Sequence, residues 1–377
     1  MKKVLVPKVR FKGFDNNWEQ GNIGEVFELT RGEVLSQRKI RNKKMGEYIY
    51  PVFSSQTLNN GLLGFYNNFL FKNSITWTTD GANAGTVLYR DGLFYATNVC
   101  GVILQKTSIK PSSYFAYEIN VKVKRHVIKA GNPKLMINVL REVLINFSKN
   151  KLEQEKISIL IENIDNLISL EQSKLNKLKQ LKQTLLQKMF PEGNSKVPKI
   201  RFKGFNEEWK EEKLEYIAKV TNGKSNTSDN NKWGQYNLYI RSEEIYKSNK
   251  YIFDVEGVIT VGDGNIGKIF HYVNGKFDLH QRCYLIYEFQ NIWPKYFYYY
   301  FSQNFYKRAI LMSYTATVNS IRVNTITDMD IMFPKELIEQ QKIGDFFCKI
   351  DILINLYNSK LNKLKKIKEA LLQKMFV

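Results

Sequence analysis

Two glycine-rich stretches of this chain carry the residue types from which an active site could be built. Gly262, Asp263, Gly264, Asn265, Ile266, Gly267 and Lys268 follow the spacing of a phosphate-cradling loop as far as the lysine. That chemistry next requires a Ser or Thr to ligate magnesium and a helix whose N-terminus faces the phosphates; here Ile269 comes next and a strand pattern follows. No two of the eight prolines are adjacent, which excludes the Asn/Asp-Pro-Pro-aromatic motif of amino-group methylation. His126, His271 and His280 lack companions at metal-ligand spacing. Cys100, Cys283 and Cys348 form an odd, widely spaced set without CxxC, which reads as reduced intracellular thiols. The expectation is a chain with no catalytic residue and no metal site.

Base-reading chemistry is better represented. Residues 15–152 and 206–338 slide over one another onto a common skeleton. Leu29 to Gly32 lies over Val220 to Gly223, and Asp80, Asn83 and Gly85 lie over Asp263, Asn265 and Gly267. Asp91-Gly92 lies over Asn274-Gly275, and Cys100 over Cys283. Side chains that hold a shared scaffold should agree between copies, whereas side chains that read a ligand should differ. Just before the matched cysteines, Thr97, Asn98 and Val99 stand over His280, Gln281 and Arg282. Asn and Gln pair with the N6/N7 edge of adenine, and Arg with O6/N7 of guanine. Ser54, Ser55 and Gln56 opposite Ser242 to Glu244, and Arg31 opposite Asn222, are further candidates, as are Asp80, Asn83, Asp263 and Asn265 and the basic Lys224, Arg241 and Lys268. The blander reading is that these polar groups are satisfied inside their domains or drift between copies.

The elements that must position these residues are themselves duplicated. Val6 to Phe14 and Val197 to Phe205 share eight of nine residues, with Trp18 and Trp209 four residues beyond each. Glu153 to Phe190 and Glu339 to Phe376 are identical at 23 of 38 positions. Self-similarity at this period means two copies of one domain and its connector. Within the connectors apolar residues alternate in steps of four and three. The first seam is Ile157, Ile161, Ile164, Ile168, Leu175, Leu178 and Leu185; the second is Ile343, Phe347, Ile350, Ile354, Leu361, Leu364 and Leu371. This heptad pattern predicts two long coiled-coil helices, interrupted at Glu171 and at the equivalent Lys182 and Lys368. A flanking stripe that includes Leu167, Leu181, Leu353 and Ile367 widens the apolar face enough for a further partner. Packed antiparallel, the helices would carry the two halves to opposite ends about a pseudo-two-fold axis. The lysines of 173–188 and 359–374 read as a solvated face or as a lining for an acidic partner.

Each half reads as a mixed α/β, strand-rich domain. Asp91-Gly92 and Asn274-Gly275 between alternating apolar residues are hairpin signals. Helical patches are expected near 137–147 and 295–312, with Phe297 to Phe301 as packed core. The predicted organisation is a first domain over 1–150, a helix over 151–190, a second domain over 191–338 and a second helix over 339–377. With 57 Lys and Arg against 36 Asp and Glu, the net charge of +21 points to a polyanionic partner. No apolar run reaches the roughly 20 residues of a membrane span, and the N-terminus has no signal-peptide core; a cytoplasmic protein is expected.

The doubled order of Val-Pro-Lys-x-Arg-Phe-Lys-Gly-Phe, a variable domain, Glu-Gln-x-Lys-Ile, Ile-Asp-x-Leu-Ile, Ser-Lys-Leu-Asn-Lys-Leu-Lys and Leu-Leu-Gln-Lys-Met-Phe resembles the specificity subunits of type I restriction-modification enzymes. The resemblance covers essentially the whole chain. It implies two target-recognition domains in inverted orientation across antiparallel spacer helices, each reading one half of a bipartite double-stranded DNA site. It also implies partners: two modification subunits that methylate adenine with S-adenosylmethionine, and restriction subunits that translocate and cut DNA with ATP and Mg2+. The chain itself would bind no cofactor. One departure from the family pattern is that Phe147-Ser148 stands where the second copy has Phe333-Pro334, which puts the start of the first helix in question. A rival reading is a coiled-coil adaptor that binds proteins without reading DNA sequence; a second is a nuclease or methyltransferase of unfamiliar type.

Overall fold

A computed structural model describes residues 5–55, 58–193, 195–315 and 319–376. They divide into two compact units, one of residues 1–170 with 360–377 and the other of 171–359. Each long helix therefore contributes one part to each unit, whereas the sequence pattern treats domain and helix as successive segments.

The first unit runs β1 (Glu19–Asn22), α1 (Ile23–Val26), β2 (Phe27–Arg31), β3 (Tyr50–Phe53), β4 (Leu62–Tyr66), β5 (Phe71–Thr78), β6 (Val87–Ala96), β7 (Cys100–Gln105), α2 (Ser113–Val123), α3 (Ile137–Arg141) and β8 (Leu144–Phe147), then enters the long helix α4 (Lys151–Lys188). The second runs β9 (Lys210–Lys213), α5 (Leu214–Ile217), β10 (Lys219–Asn222), β11 (Tyr236–Tyr239), β12 (Tyr246–Ser248), β13 (Phe253–Val261), β14 (Phe270–Leu279), β15 (Cys283–Tyr287), α6 (Pro294–Leu311), β16 (Tyr314–Thr315), β17 (Asn319–Ser320), α7 (Val323–Thr327), β18 (Asp330–Phe333) and the long helix α8 (Leu337–Met375). The six-stranded sheets have the orders β2-β7-β5-β6-β3-β4 and β10-β15-β13-β14-β11-β12, which are the same topology. In both, the fifth strand pairs parallel to the fourth, β3 with β6 and β11 with β14, while the other pairs are antiparallel. A two-stranded ribbon, β1-β8 or β9-β18, completes each unit.

Two expectations fail in instructive ways. Asp91-Gly92 and Asn274-Gly275 do not turn hairpins; they lie inside the continuous strands β6 and β14. Their glycines have φ of +73° and +97°, and Gly92 N–H donates to Asn73 Oδ1 (2.7 Å) where β5 bulges. The positive φ kinks a strand whose partner bends with it, so a turn signal becomes a bend signal. The actual β5-to-β6 turn is the stretch from Thr79 to Thr86. The helix expected over 137–147 shrinks to α3 followed by β8, and the counterpart of α6 is α2, which the apolar pattern did not reveal. In α6, Phe297, Tyr299, Tyr300 and Phe301 are buried, as expected of packed core.

Both repeated motifs find their reason where helix meets domain. Arg10 donates from Nε and Nη2 to the Glu153 carboxylate (2.6 and 3.0 Å), and Arg201 does the same to Glu339 (2.7 and 2.8 Å). Both carboxylates are buried, so each fork supplies the partner that a buried charge requires. Val9 N–H donates to Lys374 O (3.0 Å) and Ile200 N–H to Lys188 O (2.9 Å), which ties each motif to the end of a long helix. Those helix ends insert aromatic plugs: Phe376 packs against Trp18 and Tyr114, and Phe190 against Trp209, Tyr296, Tyr300 and Phe347.

Ser148, which stands where the second copy has Pro334, leaves the start of the long helix where the repeat places it. Gln154 Nε2 donates to the Ser148 carbonyl (2.6 Å) and Gln340 Nε2 to the Pro334 carbonyl (2.8 Å). The carbonyl contact is common to both residue types, and Ser148 adds two that proline cannot make: its N–H donates to Tyr114 Oη (3.1 Å) and its Oγ accepts the Asn150 N–H (3.0 Å). Asn150 Oδ1 then accepts the N–H groups of Leu152 (3.0 Å) and Glu153 (3.4 Å), so α4 starts with a side-chain cap at a position equivalent to the start of α8.

Within each unit the two long helices pack antiparallel along the predicted seam. Ile157, Ile161, Ile164, Leu175, Ile343, Phe347, Ile350 and Leu361 are buried, while Ile168, Leu178, Leu185, Ile354, Leu364 and Leu371 are half-buried. The lysines that interrupt the seam form a duplicated polar cluster. Lys368 Nζ meets Asp165 (2.5 Å) beneath the Tyr117 ring, whose hydroxyl also donates to Asp165 (3.1 Å). Lys182 Nζ meets Asp351 (2.5 Å) beneath Tyr299, whose hydroxyl donates to Asp351 (2.8 Å). The cluster joins both long helices to α2 in one unit and to α6 in the other. Leu167, Leu181, Leu353 and Ile367 of the flanking stripe remain about half exposed. Among the described residues, no helix is long and apolar enough to cross a membrane.

Candidate nucleic-acid interface

In the second unit the bend of β14 brings its end back to the start of β15. Leu279 O accepts from Lys224 N (3.1 Å) and Ser225 N (3.0 Å), and His280 N donates to Tyr239 O (2.9 Å). Gly223 is required at this crossing, because a Cβ there would lie 2.1 Å from Leu279 O; Gly32 meets Ala96 O at the same distance in the first unit. Four segments consequently converge: the residues after β10, those after β11, the turn after β13 and the link from β14 to β15.

The polar side chains of that convergence are ordered by one another. Asn222 Nδ2 donates to Gln281 O (3.4 Å), and Gln281 Nε2 to Asn226 Oδ1 (2.5 Å). Arg241 Nη1 contacts both oxygens of Asp263 (3.0 and 3.2 Å), and Arg282 Nε lies 4.0 Å from Asp263 Oδ2. Asn222, Lys224, Arg241, Gln281 and Arg282 are exposed, and so are Asn265 and Lys268 on the β13–β14 turn. His280 is different. It is buried, its Nδ1 accepts the Arg282 N–H (3.0 Å), and burial lowers its pKa from the ordinary value. It shapes the link and presents no edge to a ligand, contrary to its place among the candidate readers.

The first unit places its candidates on the same framework with different chemistry. Arg31 and Asn98 are exposed; Ser54, Ser55, Asp80 and Asn83 are half-buried; Gln56 lies outside the described residues. Thr97, like His280, is buried, and its hydroxyl donates to Ser54 Oγ (3.1 Å), so it too is a scaffold residue. Asp80 accepts from Thr79 Oγ1 (2.6 Å) and lies 3.9 Å from Lys134 Nζ. Ser54 and Asn83 line a polar cavity of about 140 Å³ together with Asn60, Thr76 and Arg90. Arg90 donates to Thr76 Oγ1 (3.0 Å) and Asn60 O (2.7 Å) and lies 3.7 Å from the Phe53 ring centroid; burial lowers its pKa to about 10. Sequence reasoning missed Arg90, Lys134 and Asn226. For Arg90 a signal existed: the matched position in the second copy is Val273, and a cation opposite a core valine marks a departure from shared packing.

Burial raises the thiol pKa of Cys100 to about 11 and of Cys283 to about 12, which keeps both protonated near neutral pH. Among the described residues, no group of three or more His, Cys, Asp or Glu side chains is placed to hold a metal ion. The arrangement offers polar edges and cations on two similar sheets, which suits recognition of a polar, anionic surface.

Comparison with known proteins agrees with this geometry. The profile of the type I restriction modification DNA specificity domain matches residues 15–180 and 206–366. A putative type I specificity subunit N-terminus from Mycoplasma pneumoniae is 39% identical over 142 residues, covering 37% of this chain and 74% of that protein. The type I restriction enzyme MpnII specificity subunit of the same organism is 33% identical over 146 residues, covering 38% of this chain and less than half, 43%, of that protein. The crystal structure of the type I restriction-modification system S subunit from M. genitalium shares the fold with a TM-score of 0.74 over 99% of both chains, at 18% identity. With the family profile matched once in each half of the sequence, the chain belongs to the type I restriction modification DNA specificity family.

Proposed function

We propose that this chain is the non-catalytic recognition subunit of a type I restriction-modification complex, each unit reading one half of a bipartite, asymmetric DNA site. The observation that carries the reading is a shared frame whose exposed converging loops differ between the copies. The two sheets share strand order, the Arg10–Glu153 and Arg201–Glu339 ties are duplicated, and the Lys–Asp–Tyr clusters match, while the exposed residues at the converging loops differ between copies. A scaffold kept constant under changing loops is what modular readout of two unlike half-sites requires. Lysines and arginines of the +21 surface supply salt-dependent affinity through phosphates, and the loop side chains supply base selection.

Catalysis then belongs to partners. Methyltransferase subunits that use S-adenosylmethionine would dock on the half-exposed stripe of Leu167, Leu181, Leu353 and Ile367 and take the target adenine out of the stack, since its amino group is not reachable within a duplex. Restriction subunits would bring ATP- and Mg2+-dependent translocation and cleavage. Family membership weighs against the rival reading of a protein-binding adaptor that ignores DNA sequence.

The test is exchange of residues 15–150 for the corresponding domain of another specificity subunit, followed by mapping of methylated adenines in cells that also carry the modification subunit. The expected outcome is a motif of two short blocks in which only one block changes. A change in both blocks refutes modular reading, and the absence of any sequence-selective methylation refutes DNA recognition itself.

A further inference from the structure

We propose that Asp263 holds Arg241 and Arg282 as a guanidinium pair that reads guanine in the half-site taken by the second unit, a device the first unit lacks. The inference rests on the DNA-recognition reading above and names a base within it. Three separate segments supply the group: Arg241 follows β11, Asp263 sits on the turn after β13, and Arg282 precedes β15. The turn is pinned by Gly262 N to Arg282 O (2.8 Å) and Gly264 N to Asn319 O (2.9 Å), so the carboxylate has a fixed place.

The exposures run in opposite directions. The Asp263 side chain is 13% exposed, whereas those of Arg241 and Arg282 are 45% and 65% exposed. One largely covered anion lies beneath two outward cations, so the cluster keeps a net positive charge facing solvent. Exposed ion pairs of this kind add little stability, and a purely structural role would need neither the second arginine nor its exposure. Restraint by the carboxylate does have a use: it removes rotamer freedom that a flexible arginine would otherwise lose on binding. Arginine has donors in a rigid fork, and only guanine offers two adjacent acceptors on its major-groove edge to match it.

Comparison between copies separates the scaffold from the reader. The acid is retained in the first unit as Asp80, which is served by Thr79 and Lys134. Tyr239 pairs with Leu279 as Phe53 pairs with Ala96, which sets Arg241 over Ser55 and corrects by two residues the alignment of Ser54 with Ser242; Val99 stands where Arg282 is. The aspartate is therefore common to both frameworks and the arginines are the variable part. Asp263 is a positioning residue; the guanidinium groups make the contact.

The experiment uses the full chain with its modification subunit in cells, with methylated adenines mapped for the parent and for Arg241→Ala, Arg282→Ala, Arg282→Lys and Asp263→Asn. Exchange of residues 206–338 first assigns which block the second unit reads. A G·C pair is expected in that block. Arg282→Ala should reduce discrimination at that pair by roughly 5- to 150-fold, the equivalent of about 1–3 kcal/mol, with the other block unchanged. Arg282→Lys keeps the charge and the fold but not the fork, so it should relax the same base while leaving overall methylation in place. Asp263→Asn should relax the same position to a smaller extent. A second block without guanine, or variants that weaken every sequence equally as a phosphate contact would, overturns the inference and leaves DNA recognition standing. If no methylated motif exists at all, both fall.

Discussion

The two units are built on one frame, and they differ in how that frame treats buried charge. In the first unit Glu118 on α2 is fully buried; its Oε1 accepts the Asn146 N–H (2.9 Å), Lys122 lies 3.8 Å away, and burial raises its pKa to about 7. The matched position on α6 is Tyr300, an aromatic that packs on Phe190. Around the Arg–Glu ties the difference is smaller. Trp18 Nε1 donates to Glu153 (3.3 Å), whereas the buried Trp209 Nε1 has no hydrogen-bond partner among the described residues. The duplicated frame thus accepts a buried carboxyl in one copy and a tyrosine hydroxyl, bonded to the Met332 backbone, in the other, provided the ties between helix and domain persist. That contrast teaches which contacts define the unit and which are local solutions.

The strongest way to break the comparison is to remove the tie itself. Glu153→Ala and Glu339→Ala each strand a largely buried arginine, at a cost of about 3–5 kcal/mol. Glu153→Ala should cost about 1 kcal/mol more, because Trp18 loses its acceptor as well. Urea midpoints of the two variants measure the difference, and equal losses would mean the Trp18 bond contributes nothing.

Next in size is the response to pH. A carboxyl whose folded pKa exceeds its unfolded value binds its proton more tightly when folded, so its contribution is fully present below the unfolded pKa of about 4.5. It is lost as pH rises to about 7, a change of about 3 kcal/mol. Glu118→Gln should therefore unfold at a higher temperature than the parent at pH 8, with the gap closing toward pH 5. A gap independent of pH would show that Glu118 is ionised in the fold.

The smallest effect should also be the most symmetric. Lys182→Met and Lys368→Met remove equivalent, partly exposed ion pairs and should each cost about 0.5–1 kcal/mol. Double-mutant cycles with Asp351→Asn and Asp165→Asn read the couplings; couplings that differ between the units would show that the two clusters are alike in geometry alone.

Part of this molecule was legible because its signals are local or repeated. The seam from Ile157 to Leu185 and its copy follow from heptad spacing, and the unit duplication follows from identity between Val6–Phe14 and Val197–Phe205. The candidate surface was legible only by subtraction of one copy from the other, which points to the exposed Gln281 and Arg282 and equally to the buried Thr97 and His280. Difference between copies marks departure from the frame, and it does not tell an exposed reader from a buried spacer.

Sequence alone determined that there are two homologous units, that each is strand-rich, and that two heptad helices join them, because periodicity and repetition survive in a one-dimensional string. Tertiary structure decided the rest. Asp-Gly and Asn-Gly bend strands here because neighbouring β5 and β13 bend with them, and Arg10 finds Glu153 across 143 residues. Asp263 gathers Arg241 and Arg282 only once the sheet has brought three strand ends together. Such outcomes depend on which distant groups share a desolvated neighbourhood, a property that exists only after the chain has packed.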